Sequence, residues 1–378
     1  MKIAFLTNFL THHQVPFCEI MYKKLGKDFH LIVMRSADEE QRKLGYKELN
    51  DLYPFVIKTY ENELFANEAM HICEEADIVI WGSAPEKYVK KRLEQNKLTF
   101  VYTERIFKKS ILYAFYPPML RHMYKKFTRQ RNKNQYYLCA GGYVSRDINM
   151  FTHTSNKFFK WGYFPETKMY EDVDALIESK KPNSIIWVAR YIDWKHPEIP
   201  VEIARRLKKD GYDFKINMIG NGIMLDEITE IVKKNQLTDY INILGGISSD
   251  NVRSYMEKSE IHIFTSDRNE GWGAVLNESM NSACAVVANK KIGSAPFLVN
   301  NGENGFTYKN INELYKKVKY LLDNDEERKK ISKTAYKTMT EEWNAEIATQ
   351  RFLDLCNGLL ENKCVEYRSG PCSMVDII

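Results

Sequence analysis

Two carboxylates, two glycines and a helix start are packed into the thirteen residues Arg268-Asn269-Glu270-Gly271-Trp272-Gly273-Ala274-Val275-Leu276-Asn277-Glu278-Ser279-Met280. Gly271 and Gly273 carry no Cβ, so the backbone there can bend sharply and bring its N–H groups close to a ligand. A helix that opens near Trp272 leaves the amides around Ala274 and Val275 unpaired, and together with the positive end of the helix dipole they favour an anion. Glu270 sits on the loop before the helix, and Glu278 lies about one and a half turns into it. Two carboxylates beside a phosphate would repel it, so they make chemical sense as acceptors of hydrogen bonds from neutral polyol hydroxyls. The phosphates then need separate cations.

Those cations have a source about eighty residues upstream. The run Ser184-Ile185-Ile186-Trp187-Val188-Ala189 reads as a buried strand and leads directly into Arg190, with Lys195 following before a helix that begins near Pro197. A planar guanidinium fork and a compact ammonium together suit two adjacent phosphates. Either residue alone reads equally well as a surface cation at a strand end.

Taken in order, Ala189-Arg190, Lys195, Ile219-Gly220-Asn221-Gly222, Leu244-Gly245-Gly246 and Glu270-x7-Glu278 resemble the landmarks of family 4 retaining glycosyltransferases. The resemblance is strongest over residues 183–308. It implies a GT-B fold, two Rossmann-like doubly wound α/β domains facing a cleft, with a nucleoside-diphosphate sugar held by the C-terminal domain. It further implies that Arg190 and Lys195 contact the donor diphosphate, that Glu270 takes donor-sugar hydroxyls and that Glu278 takes the ribose. Gly220 and the segment Gly246-Ile247 would meet the nucleotide chiefly through backbone. The implied chemistry is glycosyl transfer to a hydroxyl of a glycan or lipid-linked acceptor with retention, in cell-envelope or exopolysaccharide assembly. It calls for no metal and no cofactor, since the nucleotide-sugar is a substrate.

The elements that must position these residues alternate strand and helix throughout, the pattern of doubly wound domains. Strands are expected at 2–7, 29–34, 54–58, 77–81, 98–103 and 136–140, then at 184–189, 214–219, 240–244, 261–265, 284–288 and near 305–308. Residues 161–165 read as an interdomain linker, which gives an N-terminal domain over 1–165 and a C-terminal one over 166–342. Helices are expected at 311–323, 325–341 and 343–361; in the resembled fold the last crosses back, so 343–378 would complete the first domain.

The N-terminal half should supply the acceptor site. His12-His13 follows the first strand, where adjacent imidazoles can hold a phosphate or shuttle protons, although exposed loop histidines are common. Many members of the resembled family carry a histidine after the strand matching Thr99–Thr103; this chain has Glu104-Arg105, either of which is a candidate for a donor or acceptor contact. Gly82-Ser83 reads as an ordinary strand-to-helix turn that could also lie near the acceptor. Asp172-Val173-Asp174 spells an Asp-x-Asp, which a different glycosyltransferase fold would use for a divalent cation; among charged neighbours past the linker it reads as surface.

Charge gives a second clue. The chain is net +5, yet no acidic residue lies between Glu104 and Asp147, where Arg105, Lys108, Lys109, Arg121, Lys125, Lys126, Arg129, Arg131, Lys133 and Arg146 stand. Leu120, Met123, Tyr124 and Phe127 make an apolar stripe at helical spacing, and Tyr113, Phe115 and Tyr116 precede it. This basic amphipathic helix is either a core-facing stripe with a solvated cationic face or a surface for anionic lipid headgroups, over residues 105–133. A membrane-associated reading places the protein in the cytoplasm, peripheral on the inner face of the membrane.

Composition agrees with a globular protein of two domains: 378 residues, 44% hydrophobic. The seven cysteines, at 18, 73, 139, 284, 356, 364 and 372, lack disulfide or metal-ligand spacing and are expected as free thiols in a reducing compartment. Met1–Leu10 is too short an apolar run for a signal peptide and reads as the first strand. A nicotinamide dehydrogenase is disfavoured, because no Gly-x-Gly-x-x-Gly follows that strand. A nucleic-acid-binding protein would explain the basic stretch and leave Arg190, Lys195, Glu270 and Glu278 without a purpose, so no nucleic-acid partner is expected. Nearer alternatives are a GT-B nucleotide-sugar epimerase or hydrolase, which needs no acceptor, and a phosphorylase, for whose pyridoxal phosphate lysine there is no local signal.

Overall fold

Short apolar and β-branched runs form the strands of two parallel sheets, with helices between successive strands. The computed structural model describes residues 1–37, 48–154 and 156–376. The chain divides into two units, Met1–Glu166 with Trp343–Ile378, and Thr167–Glu342.

The first unit carries β1 (Ile3–Thr7), β2 (Phe29–Val33), β3 (Val56–Lys58), β4 (Ile78–Trp81), β5 (Thr99–Glu104), β6 (Gln135–Ala140) and β7 (Phe158–Trp161). Their spatial order is β3-β2-β1-β4-β5-β6-β7, with parallel registers such as Phe5 beside Leu31 and Ile80, and Thr103 beside Cys139. β1 and β4 are buried along their whole length, as parallel strands covered on both faces must be. The order reverses between β1 and β4, which makes that point the natural ligand crevice of the sheet.

Two features of this unit depart from the sequence reading. Trp161, assigned there to a linker, closes a seventh strand, and the polar tail pairs with it: Val375 N–H donates to the Phe158 carbonyl at 3.0 Å and Lys160 N–H to the Ser373 carbonyl at 2.8 Å. The free edge of β7 offers unpaired backbone groups that the tail satisfies. The helix Ala345–Leu360, N-capped by Asn344, lays Phe352 against Phe17, Phe100 and Trp161 at ring separations of 6.3, 5.2 and 5.6 Å.

The second unit carries β8 (Ser184–Val188), β9 (Lys215–Ile219), β10 (Ile241–Gly245), β11 (Ile261–Phe264), β12 (Ala285–Asn289) and β13 (Phe306–Tyr308), in the order β10-β9-β8-β11-β12-β13 and all parallel. Here the order reverses between β8 and β11. Its core joins Trp187, Ile216, Met218, Ile263 and Val287 of the sheet to Ile203 and Leu207 of the helix Glu198–Lys209. Asp172 of the Asp-x-Asp run caps the helix Val173–Glu178, accepting from Ala175 N–H at 2.9 Å, and Asp174 pairs with Lys333 at 2.6 Å. All seven cysteines are free thiols, and only Cys364 is exposed. Among the described residues no helix is long and apolar enough to cross a membrane.

Candidate functional site

The switch point of the second unit gathers residues from the ends of β8 and β11. After β8 the chain turns out at Arg190, passes Trp194 and makes a short turn, Asp193–Lys195. After β11 it runs through Thr265 to Glu270 before the helix Val275–Asn281. The two loops are laced together. Thr265 Oγ1 donates to the Lys195 carbonyl at 2.6 Å while accepting from Trp187 Nε1 at 2.7 Å, and Asp267 N–H donates to the Trp194 carbonyl at 3.0 Å. The Lys195 ammonium meets the Glu270 carboxylate as an ion pair whose two side chains are only 12% and 11% exposed. Trp194 lies beneath both cations, its ring 4.4 Å from Lys195 Nζ and 5.6 Å from the Arg190 guanidinium. Such faces hold cations with little hydration, which raises what an incoming phosphate gains.

Two glycines are required by close approach. Gly220 has φ +140°, and a Cβ there would run into the Ala189 carbonyl at the root of the Arg190 loop. Gly273 has φ +86°, and its Cβ would lie 2.7 Å from the Phe264 ring and 3.1 Å from Glu270 Cγ. Asn221, between the glycines of Gly220-Asn221-Gly222, accepts from Gly246 N–H at 2.9 Å and so ties the loop after β9 to the one after β10, beside Ile247.

The helix begins at Val275, a turn's fraction later than the sequence implied, because Gly273 is held at positive φ and Leu276 N–H already bonds the Gly273 carbonyl at 3.0 Å. Trp272 points inward: it is fully buried and donates from Nε1 to Asn277 Oδ1 at 2.8 Å, so it offers a ligand its backbone alone. Gly271 is buried with it, and Gly273, Ala274 and Val275 line the helix entrance. Glu278 sits half-buried on that helix; burial pushes its carboxyl up to about 7, while the charge of Arg253 holds it down. The neutral and ionised forms of Glu278 are then close in free energy near neutral pH.

The structure thus joins Lys195 to Glu270 and sets Arg190 on the same loop. The sequence reading missed Trp194, Thr265 and Asn221. The first adjoins Lys195 in the chain and the last lies between two glycines, which were the available signals; nothing local marked Thr265.

In the first unit a cavity of about 530 Å³ opens at the carboxyl ends of β1, β4 and β5. It is lined by His13, Ser83, Glu104, Arg105 and Tyr163 together with Lys108 and Lys126. His13 stacks on Tyr163 at 5.5 Å and lies tilted against His12 at 3.7 Å, and burial followed by the neighbouring His12 holds its pKa well below the usual imidazole value. His12 itself is exposed at the surface of the loop. Glu104 accepts from the Tyr163 hydroxyl at 2.5 Å and pairs with Lys108 at 2.6 Å. Arg105 lies over the Tyr143 ring at 4.6 Å. The loop they occupy is fixed from below by buried Asp147, whose carboxylate accepts from Ile106 and Phe107 N–H at 2.9 and 3.1 Å.

The apolar stripe of the basic segment divides. In the helix Pro117–Lys126, Met123 is buried, as is Phe127 just past its end, whereas Leu120 and Tyr124 are exposed. The core boundary runs between two neighbouring rows of the helix surface, each made of residues four apart. Leu112, Tyr113, Phe115 and Tyr116 are exposed as well, among the cations Lys109, Arg121 and Lys125.

Residues 170–338 match the family model described as Glycosyl transferases group 1. An uncharacterized glycosyltransferase of Methanocaldococcus jannaschii is 32% identical over 146 residues, 38% of this chain and 39% of that protein. The N-acetylgalactosamine-N,N'-diacetylbacillosaminyl-diphospho-undecaprenol 4-alpha-N-acetylgalactosaminyltransferase of Campylobacter jejuni is 30% identical over 151 residues, 39% of this chain and 40% of that protein. The matches therefore span about two fifths of the length of these curated relatives. Among solved structures, Anabaena HepE in complex with UDP covers 95% of this chain and 100% of its own at a TM-score of 0.70 and 13% identity, a likeness of fold. Both sheets, each parallel and doubly wound, accord with the GT-B fold of such neighbours.

Proposed function

We propose, from the match of residues 170–338 to the glycosyl transferases group 1 model, that this chain is a glycosyltransferase of that group and moves a sugar from a nucleoside-diphosphate sugar to a hydroxyl with retention. The acceptor is a glycan or lipid-linked glycan of the cell envelope. The observation that carries this reading is the contact of Lys195 with Glu270 at the switch point of the second sheet. A cation for phosphate and an acceptor for sugar hydroxyls lie side by side there, as a β-phosphate and its sugar do in the donor.

The barrier in such a reaction is the charge that grows on the leaving diphosphate as the C1–O bond breaks. Arg190 offers a bidentate fork and Lys195 a point charge to it, and interactions that strengthen in the transition state accelerate the step. Glu270 orients the sugar, Glu278 takes the ribose hydroxyls, and the backbone around Gly220 and Gly246-Ile247 meets the nucleotide. The acceptor hydroxyl attacks C1 from the face that the diphosphate leaves, and its proton passes to the departing β-phosphate oxygen as the C1–O bond to the diphosphate breaks. With two side-chain cations on the phosphates, the chain has its own charge compensation and the reading includes no metal.

A thermal-shift panel of nucleoside diphosphates and their sugars, run in EDTA, tests the donor site. A ligand that binds only the folded state raises its midpoint. One nucleotide is expected to stabilise the native chain, with most of that shift lost in Glu278→Ala. No shift from any of them would remove the donor assignment.

The reading also includes peripheral attachment to an anionic membrane through 105–133, supported by the exposed aromatic and basic side chains there. The Campylobacter relative is named for a sugar carried on diphospho-undecaprenol, a lipid-borne acceptor. Vesicles containing anionic lipid are expected to co-sediment the chain several-fold better than neutral ones, and the Phe115→Ser/Tyr116→Ser variant is expected to remain in the supernatant. Equal recovery with both vesicle types would count against attachment.

A further inference from the structure

The cavity of the first unit has a charge balance opposite to that of a sugar site. Of the residues that line it, Glu104 is the sole carboxylate, and both its oxygens are engaged, by the Tyr163 hydroxyl and by Lys108. Arg105 and Lys126 add two further cations from different elements, the loop after β5 and the helix Pro117–Lys126. His122 comes from that helix too, and the Ser83 hydroxyl supplies an uncharged donor, while the Thr11 hydroxyl donates to Gln14 at 3.2 Å. The second unit grips polyol hydroxyls with carboxylates; this cavity presents cations and hydroxyls, the chemistry that receives phosphate oxygens.

Lys126 is the informative member. Its ammonium lies 4.6 Å from the Trp81 ring and 5.7 Å from that of Phe127, and among the described residues no carboxylate pairs with it. Burial brings its pKa down to about 8, with the more distant charge of Glu86 opposing. A lysine held against aromatic faces at the edge of a cavity, short of water and lacking a counterion, is stabilised when an anion arrives. The same helix turns Leu120, Arg121, Tyr124 and Lys125 outward, so a single ten-residue element both lines the cavity and carries the exposed basic and apolar surface.

We propose that this cavity is a phosphate site that holds the phosphate or diphosphate group of the acceptor, with Lys126 and Arg105 as its principal cations. The proposal deepens the transferase reading and rests on it for the word acceptor; the anion site itself stands on the first unit alone. The phosphate belongs to a lipid-borne acceptor or to a water-soluble phosphorylated one, and the experiment separates these sources.

Calorimetric titration of the full chain carrying Arg190→Gln, which weakens diphosphate binding in the second unit, is run with inorganic pyrophosphate, geranyl diphosphate and geraniol. Both diphosphates are expected to bind, geraniol is not, and adding Lys126→Met is expected to weaken the diphosphates at least tenfold, with Lys126→Arg restoring most of it. Geranyl diphosphate tenfold tighter than pyrophosphate identifies the lipid-borne source, and equal affinities the water-soluble one. Unchanged diphosphate affinity in Lys126→Met, or geraniol binding as well as its diphosphate, overturns the proposal. If Lys126→Met disturbs the packing on Trp81, Arg105→Gln gives the same readout from the other side of the cavity. A failed nucleotide panel with this titration intact would sink the donor assignment and leave the phosphate site standing.

Discussion

Lys195→Met is expected to lower kcat by about a hundred- to a thousandfold, the loss of one preorganised donor to the leaving group, on the order of 2.7–4 kcal/mol of transition-state stabilisation. Lys195 is suited to that role because its backbone is fixed from two sides, through Thr265 and through the Trp194 carbonyl, and its ammonium is withdrawn from water between Glu270 and the Trp194 ring. Removal of the cation also leaves Glu270 with a desolvated charge, so the variant is expected to melt earlier than the native chain. The two losses are separable in a double-mutant cycle. Adding Glu270→Gln to Lys195→Met should return part of the lost stability, since no unpaired carboxylate then remains, while kcat stays low or falls further. Transfer rates for Lys195→Met within threefold of the native chain would show that the ammonium does not meet the leaving diphosphate.

The largest expected loss of stability lies elsewhere in the same unit, at Lys180. Its side chain is 6% exposed and its ammonium approaches the carbonyls of Met256, Glu257, Ser259 and Ser282 at 3.2, 3.0, 2.9 and 2.8 Å. These oxygens lie at the ends of two helices, Ser249–Glu257 and Val275–Asn281; the Met256 carbonyl also accepts from Ser259 N–H at 3.1 Å, and the Cys284 thiol lies against the carbonyls of Met256 and Ser259. A cation at two helix C-termini satisfies them and complements both dipoles. Lys180→Met keeps most of the apolar stem and strips the donors, and leaving the Glu257 and Ser282 carbonyls without their charged donor costs about 3 kcal/mol or more. For a unit of this size that corresponds to a fall of roughly 6–12 °C in melting temperature. Nucleotide affinity should fall with it, because the second helix carries Glu278. A midpoint within 2 °C of the native chain would mean that water or a shifted backbone replaces the lysine.

The strands were legible because parallel sheets bury both faces, which writes them as continuous apolar runs such as Ile78–Trp81 and Ile261–Phe264. The spacing from Glu270 to Glu278 was equally plain, being local. What spacing does not show is contact across seventy-five residues: Lys195 and Glu270, read separately as phosphate and sugar ligands, prove to be each other's partners. Phe158–Trp161 escaped notice because Lys160 interrupts its apolar run and because it completes its hydrogen bonds with a polar tail that has no strand pattern of its own. Trp272 was read only as part of the helix start between two glycines, and packing alone shows its ring turned into the core. The basic stretch was visible as charge, yet the role of Lys126 within it depended on which row of the helix faces inward.

The tail that pairs with β7 has a temporal consequence. Every contact that Phe352 makes with Phe17, Phe100 and Trp161, and every backbone bond along the outer edge of β7, joins residues made before the second unit to residues made after it. Residues 167–342 lie between them as an insertion whose sheet and core are contiguous in the chain. On a ribosome the inserted unit therefore has all its partners first, while the earlier-made one waits with an open aromatic socket until residues 345–375 emerge. For these two units the order of birth and the order of completion are reversed.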